Sequence, residues 1–125
     1  MSVRIKNIEN QTNLDVGFLN PQRYGDSRLV PPGQSVPTDA GPPVESGPDS
    51  RALALVIPAR SGKTALIWDY ESQLHFCWEN ELATHTVLGK VSGGDSVTLI
   101  VGPDGKPGIW RWTSAEAEAT SASAS

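Results

Sequence analysis

Five side chains with chemical potential fall within eleven positions: His75, Cys77, Glu79, Glu81 and His85. Neutral imidazole and thiolate suit zinc, which gathers N and S ligands tetrahedrally. The same groups could instead pair a thiolate nucleophile with a histidine base. His75 and Cys77 stand two residues apart, so on a strand they share one face, and His85 would approach from the following segment. The paired spacing of a structural zinc site is missing, and a buried, inert thiol beside two surface histidines accounts for the same residues. The reading is therefore of no metal site and no catalytic residue, and of a protein that is not an enzyme.

Arg60-Ser61-Gly62-Lys63-Thr64 ends like a phosphate-binding loop. That loop needs a second glycine upstream and must open a helix, so that backbone amides curl around phosphate. Ile57 occupies the glycine position, Pro58 removes an amide, and Ala65-Leu66-Ile67-Trp68 reads as a strand. A hairpin turn explains the segment better, and no cofactor is implied. Asp39, Glu45 and Asp49 are too dispersed along a proline-rich loop to converge on calcium. Asn10-Gln11-Thr12 matches a glycosylation sequon, read as a chance match because no secretion signal precedes it.

The tryptophans carry more information. Trp68, Trp78, Trp110 and Trp112 stand in a chain with two Phe and two Tyr. On a terminal strand Trp110 and Trp112 share one side, and Ile109 and Arg111 share the other. With the indoles inward, Arg111 is simply solvated, which makes the core the simpler place for both. With Ile109 inward, two indoles lie exposed, free to stack on the apolar face of a sugar ring or to seat at a partner surface. The candidate ligand-binding set is Trp110, Trp112 and Trp68 for stacking, with Arg111, Asp69 and Asn80 supplying hydrogen bonds.

These residues must be positioned by strands. Twelve Gly and ten Pro in 125 residues leave little room for long helices. Alternation marks strands at Val3 to Ile8, Leu14 to Phe18, Thr64 to Tyr70, Leu74 to Trp78, Val87 to Val91, Ser96 to Val101 and Ile109 to Thr113. Arg28 to Val30 and Gln34 to Thr38 are shorter candidates, the latter placed at an edge by Pro37. Leu53 to Ile57 is a continuous apolar run, as expected of a central strand. Asp104-Gly105 marks a hairpin between the last two strands. Residues 39 to 50 read as a mobile connection, and 79 to 84 as a turn or loop. No internal repeat has even spacing.

The pattern predicts one all-β domain over residues 1–113, an antiparallel, jelly-roll-like β-sandwich of eight to ten short strands, with a β-trefoil or small barrel as the alternative. Residues 114–125, all Ser, Ala, Glu and Thr, cannot bury apolar area and read as a disordered tail. A net charge of −4 argues against nucleic acid, which demands a basic face, and disfavours docking to an anionic membrane. No apolar run is long enough to span a bilayer. A single Cys77 needs no oxidising compartment, and the opening residues lack the apolar stretch of a signal peptide. Those features fit a cytoplasmic protein, or one released without a signal. The expected function is a non-enzymatic binding module, lectin-like, taking a glycan or small ligand through tryptophan. The alternatives are a structural or interaction sandwich that forms a homo-oligomer, and a membrane-interacting sandwich.

Overall fold

The computed structural model describes residues 3–47, 51–60, 62–92 and 94–112, with the backbone alone described at Tyr24, Arg60, Arg111 and Trp112. Among them are ten strands: β1 (Arg4–Asn10), β2 (Val16–Leu19), β3 (Arg28–Val30), β4 (Ser35–Ala40), β5 (Leu53–Ile57), β6 (Lys63–Tyr70), β7 (Gln73–Trp78), β8 (Thr86–Lys90), β9 (Ser96–Val101) and β10 (Pro107–Trp112). They form two open sheets, a four-stranded one in the order β10-β9-β1-β4 and a six-stranded one in the order β3-β2-β5-β6-β7-β8. The protein is an all-β sandwich, and neither sheet closes into a barrel. The segment 114–125 lies outside the described residues.

Period-two patterning decides which face each strand buries. From β9, Val97, Leu99 and Val101 turn inward, each with essentially no exposure. Leu53, Leu55 and Ile57 of β5 meet Leu99 and Val101 from the other sheet, with Phe18, Ile67 and Phe76, while Val97 packs with Val3, Leu74 and Val91. β5 lies between β2 and β6, an interior position that its apolar run anticipates. Pro37 sits in β4, at the edge of the four-stranded sheet, where a missing donor costs no ladder bond.

Two pairings among the described residues are not antiparallel. β1 runs parallel to β9, and Val44 makes a parallel bridge to Asp69. Alternation alone carries no information about strand direction. The Val44 bridge also corrects the expectation of a mobile connection through 39–50. Asp39 and Ala40 end β4, Pro42 and Pro43 are buried, and the Asp69 backbone exchanges hydrogen bonds with Pro43 O and Glu45 N. Residues 48–50 lie outside the described residues.

A bulge between Ile5 and Asn7 shapes β1. Strict alternation would send Ile5 and Ile8 to opposite faces, yet both are fully buried in the core. The extra residue resets the phase, so that Ile8 and Asn10 face inward and Asn7 and Glu9 face outward. Asn10 is itself fully buried and bonds Leu14 O and Val30 O through Nδ2, which leaves the sequon asparagine no access to a glycan. No helix among the described residues is long and apolar enough to cross a membrane.

Candidate functional site

The orientation of β10 is fixed by what lies beneath it. Ile109 packs into the core, opposite Leu99, and meets β8 at Gly89, where a side chain would collide with it. Trp110 is therefore turned to the outer face of the four-stranded sheet, where it remains 45% exposed. This corrects the expectation that the indole would be core: the sandwich interior at this edge has room for an isoleucine against a glycine. Arg111 and Trp112 pair through the backbone with Val97 and Ser96, and their side chains lie outside the described residues.

Register then assembles the outer face. Trp110 stands opposite Thr98, Thr98 opposite Asn7, and Asn7 opposite Pro37, one rung across all four strands. The next rung runs Gly108, Ile100, Glu9 and Ser35. Gly108 has no side chain, so the space beside the indole along β10 stays open. The two rungs enclose a shallow groove of about 350 Å³, lined by Asn7, Glu9, Ser35, Thr98, Ile100 and Trp110. Gln11 Nε2 donates to Glu9 Oε2 at 2.7 Å and steadies that carboxylate. The groove thus combines an aromatic plane with a carboxylate acceptor, an amide that donates and accepts, and the hydroxyls of Ser35 and Thr98. That is equipment for orienting a polar molecule with one apolar face.

The remaining candidates lie elsewhere. Trp68 is fully buried, on the outer face of the six-stranded sheet, across the sandwich from Trp110. His75 stacks on it at 5.7 Å and 16°, and His85 meets it edge-on at 4.8 Å and 79°. Its role as a stacking platform is thereby corrected, since both imidazoles occupy the positions a ligand would need. Among the described residues its Nε1 is buried without a hydrogen-bond partner. Asp69, on the same strand, belongs to the strap made with Pro43 and Glu45, and burial raises its pKa against the opposing pull of His75. Asn80 is exposed in the turn after β7. None of these three joins the Trp110 groove.

His75 and Cys77 do share a strand face, and His85 comes to the same region through Trp68. Each imidazole donates to a carbonyl, His75 Nε2 to Tyr70 O at 3.3 Å and His85 Nε2 to Leu82 O at 2.8 Å, since a carbonyl only accepts. Burial raises the Cys77 pKa, which keeps the thiol protonated and weakly nucleophilic. No group of three or more potential metal ligands converges among the described residues. Gly62 adopts φ of 72° and leads directly into β6, a strand where a phosphate loop would need a helix.

Asn7, Glu9, Ser35, Thr98 and Ile100 were not among the candidates that sequence patterning selects. Each reads locally as an ordinary outward residue. Only the β1 bulge and the parallel β1–β9 register bring them alongside Trp110. Comparisons with protein families, with curated proteins and with solved structures found no match for this chain.

Proposed function

We propose that the protein is a non-enzymatic, lectin-like binding module whose ligand surface is the outer face of the four-stranded sheet. A half-exposed Trp110 standing over a groove edged by Asn7, Glu9 and Ser35 carries this reading. A pyranose ring presents an apolar C–H face and a girdle of hydroxyls that both donate and accept. The indole suits the former, and the carboxylate, amide and hydroxyl suit the latter. A shallow site takes one or two sugar units. At about 0.3 kcal/mol per heavy atom, a single hexose gains roughly 3–4 kcal/mol, so binding in the millimolar range is expected, raised by multivalency. Titration of isotope-labelled protein with simple hexoses and disaccharides should shift the Trp110 indole and the amides of Asn7 and Thr98. Absence of saturable shifts at those positions with every sugar class would defeat the reading.

A second reading, self-association, is favoured by one observation on the opposite face. The rungs Leu29–Gly17–Val56–Thr64 and Leu19–Ala54–Leu66–Cys77 carry no charge, and Leu29 and Leu19 are exposed at 63% and 42%. A second copy, presenting the same uncharged rungs with Leu29 and Leu19 exposed, is the occupant that complements it without desolvating ions. Sedimentation mass that stays monomeric across a wide concentration range would remove this reading.

A further inference from the structure

β7 extends to Trp78, but β8 joins it only at Thr86, opposite Phe76. Cys77 and Trp78 therefore have β6 on one side and, among the described residues, no strand on the other. The chain bows outward between them, held by Glu81 N donating to Trp78 O and Thr84 N donating to Glu81 O. On the far side β10 is only beginning, at Pro107. The sandwich is left open at this corner by a cavity of about 310 Å³.

Its lining is divided. The inner part is apolar: the rings of Phe76 and Trp78, edge to face at 5.6 Å and 88°, with Leu88 and Pro107. Lys63 Nζ stands 5.8 Å from the Trp78 ring centre, a cation–π contact that helps fix that floor. The outer part holds Glu81 and Lys106, both exposed. Among the described residues neither makes an ion pair, although both line the same cavity. That volume is at the lower end of the range for ligand sites.

We propose that this corner is a second ligand site, independent of the Trp110 groove, for a small zwitterion with an apolar side chain: a free aromatic or branched amino acid. Opposite charges at one mouth decide the class. An apolar acid would satisfy Lys106 but bring its carboxylate against Glu81, and an apolar amine would do the reverse. A molecule with ammonium and carboxylate on adjacent atoms answers both while its side chain enters between the sheets. Cys77 borders the same cavity through its place between Phe76 and Trp78 on β7.

The test is an amide-shift titration of the full chain with L-phenylalanine, 3-phenylpropionate (no ammonium) and 2-phenylethylamine (no carboxylate). L-phenylalanine should give saturable shifts at Thr84, Thr86 and Leu88, and each one-charge analogue should bind about tenfold more weakly, as for loss of one charged hydrogen bond. E81Q should erase the preference over phenylpropionate and K106Q the preference over phenylethylamine. Both positions are exposed, so the fold should survive either change. Trp110→Ala should leave all three titrations unchanged. The proposal is overturned by absence of saturable shifts at the solubility limit of L-phenylalanine, by an analogue that binds as tightly, or by preferences that persist in both variants.

Discussion

Gly89 and Ile109 interlock: a β-carbon on Gly89 would stand 2.9 Å from Ile109 Cδ1 and 3.4 Å from Cγ1. This contact joins the edge strand of one sheet to the edge strand of the other and closes one side of the sandwich. It also sets which face of β10 is inside, and so sends Trp110 out.

Gly89→Ala should therefore destabilise the protein by about 1–2 kcal/mol, the usual cost of overpacking, although the same change at an open site would stabilise through the unfolded chain. Ile109→Val removes the Cδ1 methyl that comes nearest. In a double-mutant cycle by urea denaturation, the pair should couple by at least ~0.5 kcal/mol, with the double variant recovering part of the loss. Simple additivity would mean that the two strands do not meet as described.

The two tryptophans should separate by role. Trp68→Ala removes a fully buried indole and should cost about 3–5 kcal/mol. Trp68→Phe should cost much less, because it also removes the unpartnered Nε1. Trp110→Ala, at a half-exposed position, should change stability by about 1 kcal/mol or less. Thermal melts of the three variants check the order.

Asp39 Oδ1 accepts from Arg4 Nε at 3.0 Å and from Lys6 Nζ at 2.9 Å, and these bonds lower its pKa to about 2. A folded pKa below the unfolded value of ~3.9 contributes stability that is complete above the latter and disappears as pH falls through the former. Asp39→Asn should thus be less stable than the parent at neutral pH, and the difference should vanish only as pH falls below about 2. The partners are exposed, so the difference should be small and should shrink further in salt.

Asp69 has the opposite sign. Burial raises its pKa, with His75 opposing. Its contribution is most favourable below the unfolded pKa and is lost as pH rises through the folded one. Asp69→Asn should match the parent near pH 3 and exceed it at neutral pH. A urea midpoint that falls on substitution at neutral pH would contradict the burial argument.

The strands were legible because a half-buried strand writes its two faces into every second residue. Thr64 to Tyr70 and Ser96 to Val101 fall almost wholly within β6 and β9, and Asp104-Gly105 does turn between β9 and β10, with Gly105 at φ of 81°. Three features were hidden. The β1 bulge breaks the phase between Ile5 and Ile8, which local alternation cannot place. The parallel β1–β9 pairing is a long-range choice, and it is what puts Asn7 and Glu9 beside Thr98 and Ile100. Trp68 and Trp110 are one residue type in two environments, and only the covering imidazoles and the glycine opposite Ile109 tell them apart. Trp110 stood among the residues the sequence singles out, but its exposure was not readable there, and neither were its polar companions.

The central claim, that Trp110 and its rung form a sugar-binding face, is tested most directly by a glycan array probed in parallel with the parent protein and Trp110→Ala. The account predicts that the parent retains a defined class of glycans and that the variant, folded by its melt, loses them at least tenfold, as expected for an aromatic anchor worth over ~1.4 kcal/mol. Equal retention by both proteins, or none by the parent, would contradict it.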